Sequence, residues 1–305
     1  MTTTAIVFPG QGSQKLGMLN DHYARFNEIK ETYDEANDAL GFNLWQITQE
    51  DEVKLNQTEY TQTALLTASI AIWRVLKKNR SITPQVLAGH SLGEYSALYA
   101  ANSLNFTDAL RLVRLRGQLM QYAVADKECA MSVILALSNE DVIECCNEAK
   151  SVGVVELANF NSHGQIVISG EFKAVEKANE IAKKMGAKRA QILPVSVPSH
   201  CSLMKEAAEK FAHALDNITI KPPEINIIHN YDVAFHNDIN DVKTALVKQL
   251  YSPVKWTQTI EKIVKLGIDK VIECGANKIL TGLNKRIVKG LTCQNTATVD
   301  AIDKL

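Results

Sequence analysis

Between residues 126 and 196 the chain changes rhythm, and that change limits the fold more than any other feature. Residues 130–137 form an apolar run predicted to be a strand. Helical periodicity follows over 139–150, strands are predicted at 154–158 and 165–170, a helix at 172–185 and a last strand at 189–195. The order βαββαβ is the ferredoxin-like pattern, and about 70 residues suit a small inserted unit. On either side, strands predicted at 4–8, 86–88, 225–230 and 270–273 alternate with helical segments. Those segments fall near 20–40, 61–79, 92–101, 108–124, 201–215, 241–250, 256–266 and 277–289. Such alternation predicts a mainly parallel sheet with helices on both faces. The expected fold class is α/β, with a large part built from 1–125 and 197–305 and a ferredoxin-like insertion over 126–196. The 305 residues, 46% of them hydrophobic, supply ample core. The last dozen, QNTATVDAIDKL, are expected to fray.

Residues 87–95 read LAGHSLGEY. Gly89-His90-Ser91-Leu92-Gly93 matches G-x-S-x-G where the strand predicted at 86–88 meets the helix predicted from 92. Strand, turn and helix is the setting in which such a serine is a nucleophile. A sharp turn strains the serine and lifts its Oγ clear of the backbone, and a Cβ on the flanking glycines would crowd it. The Leu92 N–H then sits at a helix N-terminus, where unpaired donors and the helix dipole favour negative charge. That is half of an oxyanion hole. An ordinary glycine-serine turn is the competing reading.

A serine nucleophile needs a base. The histidines stand at 22, 90, 163, 200, 213, 229 and 236. His90 is too near Ser91 in sequence to reach across it, but is placed to hold the turn. His22 and His213 lie in helical patterns and are expected at the surface. His229 and His236 flank a strand end, where they either line a cleft or serve the core. His200, in VSVPSHCSLM, follows Pro198 and precedes a helix. A rigid loop at a helix start suits a general base, so His200 is favoured. No acid between 91 and 200 stands out as a third triad member, so a neutral group is expected to orient the imidazole.

The helix predicted over 108–124 carries an arginine on its apolar face. At about 100° per residue, Ala109, Leu112, Val113, Arg116 and Met120 share one stripe. Buried arginines are rare unless paired, and removing the partner of a buried charge costs roughly 3–5 kcal/mol. Arg116 is therefore either half of a structural ion pair or a guanidinium kept for an anionic substrate group. The planar fork suits a carboxylate, which points to an acyl group with a free acid end.

Charge excludes other classes. Lys plus Arg total 33 against 34 for Asp plus Glu, a formal net charge of −1, whereas nucleic-acid and anionic-membrane proteins carry a basic surplus. No apolar run approaches the roughly 18–20 residues that span a bilayer. The start MTTTAIVFPG lacks the basic region of a signal peptide, so a cytoplasmic protein is expected. Cys129, Cys145, Cys146, Cys201, Cys274 and Cys293 form no C-x-x-C pair, and no zinc or nucleotide motif is present. Neither a metal nor a cofactor is expected.

Taken together, FPGQGSQ at 8–14, GHSLGEYSAL at 89–98, RLRGQLMQ around Arg116, NFNSHGQIVISG at 159–170, PVSVPSHCSLM at 194–204 and QLYSPVKW at 249–256 resemble bacterial malonyl-CoA:acyl carrier protein transacylases. The likeness runs from about residue 5 to about 290. It implies an α/β-hydrolase-like large subdomain with a ferredoxin-like insertion. It implies Ser91 as the acylated nucleophile, His200 as its base and the N–H groups of Gln11 and Leu92 as the oxyanion hole. Arg116 would hold the malonyl carboxylate, and the main-chain carbonyl of Gln249 would orient His200 in place of an acid. The implied reaction is ping-pong transfer from malonyl-CoA to the phosphopantetheine thiol of acyl carrier protein, without a cofactor.

Some positions depart from the family pattern. Ala276-Asn277 replaces a usual Pro-Gly, and His163 replaces a common proline in a loop that either faces the cleft or lies in solvent. Ser199, in VPSH, gives no sign of methylmalonyl preference. By analogy an acidic carrier protein would dock on basic residues, either Lys285, Arg286 and Lys289 or the group Lys183, Lys184, Lys188 and Arg189, each of which also reads as a solvated face. Alternatives are a serine esterase or thioesterase transferring to water, an acyltransferase serving a polyketide pathway, and an inactive carrier-protein scaffold.

Overall fold

The computed structural model describes residues 3–80, 82–195 and 197–305. Among them the strands are β1 (Thr4–Phe8), β2 (Val86–Gly89), β3 (Cys129–Leu135), β4 (Val155–Ser162), β5 (Gln165–Glu171), β6 (Arg189–Ile192), β7 (Asn226–Ile228), β8 (Lys270–Glu273) and β9 (Thr292–Asn295). They form two sheets. The larger, in the order β7-β2-β1-β8-β9, is parallel throughout. Its central strand, TAIVF, is buried at every position, as a parallel strand covered on both faces must be. The smaller sheet, in the order β4-β5-β3-β6, is antiparallel throughout. With the helices Asn139–Ala149 and Phe172–Lys184 it makes the expected βαββαβ unit. Ala130, Val142, Ile168 and Ala178 belong to its own core, separate from that of the large sheet.

Local chemistry sets the elements that carry the site. The helix Phe106–Tyr122 starts at Asn105, whose side chain accepts from the Asp108 N–H. It crosses Thr58–Asn79 closely, because a Cβ on Gly117 would lie 2.7 Å from Glu59 Cα. Only glycine permits that approach, and it brings Arg116 beside Gln62. The small sheet is joined through the main chain to the loop before the helix Trp256–Lys265: Phe160 N–H donates to Val254 O at 2.9 Å, and Val254 N–H donates to Ala158 O at 2.8 Å.

Several expectations are corrected. The C-terminus does not fray. Its polar residues form β9, which pairs with β8, and the helix Val299–Asp303, anchored by buried Ile302. Arg80 fastens it, donating to Ile302 O and pairing with Asp303. His22 is not a surface residue but buried, 3.0 Å from Thr296 O in that same tail. The segment predicted over 20–40 breaks at extended Phe26 into Asn20–Arg25 and Asn27–Leu40. Two short helices, Leu44–Glu50 and Glu52–Leu55, were not expected; the Asn43 and Asp51 side chains cap them. The last strand of the small sheet stops at Ile192, and Leu193, Pro194 and Val195 turn to line the cleft instead.

Candidate active site

β2 ends at Gly89 and the helix Gly93–Ala100 begins four residues on. The chain makes that turn through Ser91 at φ +52°, a left-handed conformation uncommon outside glycine. A Cβ on Gly89 would overlap the main chain of Gly93, and one on Gly93 would overlap Phe8 O. Both glycines are therefore steric requirements of the turn. Asn230 braces it from β7's end: its Oδ1 accepts from Ser91 N–H and its Nδ2 donates to Gly89 O, both at 2.6 Å.

His200 faces this serine. Its Nε2 lies 2.7 Å from Ser91 Oγ, and its Nδ1 lies 2.7 Å from Gln249 O. A carbonyl can only accept, so the ring proton sits on Nδ1 and Nε2 is left to accept from the serine hydroxyl. His200 also has positive φ, +65°, and its own N–H donates to Leu250 O. Burial first, then the Arg116 charge, lowers its pKa to about 3, against the pull of the Gln249 carbonyl. The imidazole is thus the neutral base form at ordinary pH.

Arg116 completes the group. It is buried, and its Nη2 donates to Ser91 Oγ at 3.4 Å and to Gln249 Oε1 at 3.0 Å, while Nη1 donates to Gln62 Oε1 at 2.9 Å. Its guanidinium lies 5.8 Å from the centre of the Tyr95 ring. Among the described residues it makes no ion pair, so the structural salt bridge open at the sequence level is not formed. Burial lowers its pKa, with Tyr95 and Glu94 acting to raise it.

Gln11, Leu92, Ser91, His200 and Arg116 line one cavity of about 620 Å³ between the two sheets. Leu92 N–H lies just before the helix, as the turn requires. His90 does not act across the serine. Its Nε2 lies 2.8 Å from Asn161 Oδ1 in the small sheet, with its ring against Trp256. His163 is exposed beside Glu261 and does not line that cavity. His229 is fully buried, with Nδ1 2.8 Å from Glu94, and His236 pairs with Asp232, so neither lines the cavity. Asn230, Gln62 and Glu94 escaped the sequence reading. Asn230 and Glu94 meet only in the fold, 136 positions apart.

A hydroxyl held against a neutral imidazole, beside a guanidinium that no carboxylate among the described residues occupies, suits acyl transfer, and the molecule is an acyltransferase of α/β architecture. The chain belongs to the acyl transferase domain family, whose profile matches residues 5–300. It is 48% identical to the malonyl CoA-acyl carrier protein transacylase of Haemophilus influenzae, covering all of this chain and 99% of that one. It is equally similar to that of Escherichia coli K12, over 96% and 95% of the two chains. Among solved structures, an acyl carrier protein S-malonyltransferase from Vibrio cholerae superposes with a TM-score of 0.96 at 49% identity, covering 99% of each chain. Another, a type II PKS acyl-carrier protein in complex with its malonyl-transacylase, superposes at 0.98 with 47% identity, covering 99% and 98%.

Proposed function

We propose that the protein moves a malonyl group from malonyl-CoA to the phosphopantetheine thiol of acyl carrier protein, through a malonyl ester on Ser91. The observation that carries this reading is the meeting of two groups at Ser91 Oγ, His200 Nε2 at 2.7 Å and Arg116 Nη2 at 3.4 Å, on the wall of one shared cavity. Ser91 Oγ attacks the thioester carbonyl and gives its proton to His200 Nε2. The carbonyl oxygen, now negative, rests on the N–H groups of Gln11 and Leu92. The C–S bond breaks, and the imidazolium returns the proton to the coenzyme A sulfur. The carrier thiol then gives its proton to His200 and attacks the ester, and Ser91 leaves with that proton. Gln249 O holds the imidazole throughout.

Arg116 makes the site select for an acid. An acetyl group would leave the buried guanidinium without its partner, and sites built for a polar group reject analogues lacking it by large factors. The reading includes the subdomain limits 1–125 with 197–305 and 126–196, which set the cleft between the sheets. It includes a cytoplasmic setting, where six cysteines without disulfides are at home; no helix among the described residues is long and apolar enough to cross a membrane. Product malonyl-carrier protein would supply fatty acid elongation. A polyketide pathway is the second reading, favoured by the relative solved with a type II PKS carrier protein. Carrier docking is assigned to the exposed basic residues Lys285, Arg286 and Lys289 or to Lys183, Lys184, Lys188 and Arg189.

The test is intact-protein mass spectrometry after brief mixing with malonyl-, acetyl- or methylmalonyl-CoA, followed by a chase with holo carrier protein. A malonyl adduct on Ser91, discharged far faster to carrier protein than to water, is the expected result. No adduct, or one lost equally fast without carrier protein, moves the weight to a hydrolase or a binding protein.

A further inference from the structure

Behind the site lies a buried carboxylate that this scheme does not use. Glu94 is fully buried in the first turn of the helix Gly93–Ala100. Its Oε1 accepts from Asn230 N–H at 3.2 Å and lies 2.8 Å from His229 Nδ1. Its Oε2 accepts a hydrogen bond from the Gln249 side-chain amide. Both carboxylate oxygens thus accept a hydrogen bond, one from the Asn230 main chain and one from the Gln249 side chain.

Arg116 stands on the other side of the same amide. Gln249 Oε1 accepts from Arg116 while Gln249 Nε2 donates to Glu94 and to Ser91 O. Turning the amide over would set N–H against guanidinium and oxygen against carboxylate, so the two charges fix its orientation. Arg116 Nε has no partner among the described residues.

We propose that Glu94 is the counterion of Arg116, held one amide away by Gln249, so that the buried charge is balanced while the face of the guanidinium stays open for the substrate carboxylate. This rests on the acyl-transfer reading above. A carboxylate bound directly would occupy the fork in bidentate fashion and shut the substrate out. With no counterion at all, the empty site would hold an uncompensated buried charge. Through the amide, the empty pair is neutral overall. Glu94 therefore also repels an arriving anion, and it is a positioning residue that tunes selectivity without touching substrate.

That repulsion gives the test its sign. Glu94→Gln keeps the size and removes the charge. Free malonate is expected to bind and inhibit on the order of tenfold more tightly than in the wild type, and KM for malonyl-CoA is expected to fall. KM for acetyl-CoA, whose acyl group is uncharged, does not fall with it. A residue with a merely structural role would weaken both substrates. In Gln249→Met the main-chain carbonyl remains but the two charges are free to close on each other, so malonate affinity is expected to drop. Malonate affinity that is unchanged or weaker in folded Glu94→Gln overturns the proposal; should that variant not fold, unchanged affinity in Gln249→Met does so. Calorimetry with malonate reads both variants without turnover. If wild-type Ser91 takes no malonyl group, the acyl-transfer reading fails by itself, and the calorimetry still decides the counterion.

Discussion

Ser91 and His200 meet at 2.7 Å, and each is held there by a backbone in the left-handed region, at φ +52° and +65°. Such conformations cost of order 1–3 kcal/mol each and persist only when their surroundings impose them. Here the imposing groups are Asn230 on one side and the Leu250 carbonyl on the other.

Ser91→Gly is expected to abolish covalent malonylation without lowering the melting temperature by more than a couple of degrees. Glycine releases the strain, which offsets the lost bond to His200. Ser91→Val places a β-branched residue at the same φ and is expected to cost at least ~2 kcal/mol. Thermal melts of the two variants, with mass spectrometry for the adduct, check both halves.

Arg116→Ala removes the only cation at Ser91 Oγ among the described residues. Malonyl transfer is expected to fall on the order of 10³-fold or more while acetyl transfer holds or rises. Parallel loss of both would make Arg116 a structural residue. Competition between the two thioesters for one enzyme sample reads the ratio directly.

Asn230→Ala leaves a buried N–H at Ser91 and a buried carbonyl at Gly89 without partners. Each unsatisfied group costs about 1–3 kcal/mol. A stability loss of about 2–4 kcal/mol is expected, with kcat falling more than KM changes, because the elbow loosens while the cavity wall stays. Denaturant melts and steady-state kinetics test this; a KM effect alone would place Asn230 in substrate binding instead.

His200 has a folded pKa of about 3, below its ordinary value of 6.5. As pH falls below about 6.5, the unfolded chain takes up the proton first. Stability from this group is therefore full above that pH and is lost progressively toward pH 3, by at most about 1.4 kcal/mol per pH unit. His200→Gln is expected to flatten that slope between pH 6.5 and 4, and malonylation of the wild type should show no acid limb between pH 8 and 5. A slope that survives the substitution would move the effect to His22 or His90, both also lowered by burial.

How much of this was legible depends on where the information resides. Parallel strands such as β1 are apolar runs because both faces are covered, so the alternation is readable directly. Ser91 is readable because its turn is defined by neighbours within two positions. Arg116 is readable because a charge on an apolar stripe breaks the helical pattern. The tail after Gln294 misled because its order depends on distant anchors, Arg80 and His22, and on Ile302 alone. Glu94 looked like an ordinary first-turn acid, since its partners Asn230 and Gln249 lie 136 and 155 positions away.

The acceptor for His200 Nδ1 is the carbonyl of residue 249, which belongs to the peptide unit and not to glutamine. Any amino acid at that position would still supply it. Where a triad aspartate can be lost by one nucleotide change, this orienting group is heritable only as a path of the chain. Variation can move it by altering how the helix Ile239–Tyr251 ends, but no amino-acid substitution at residue 249 removes it.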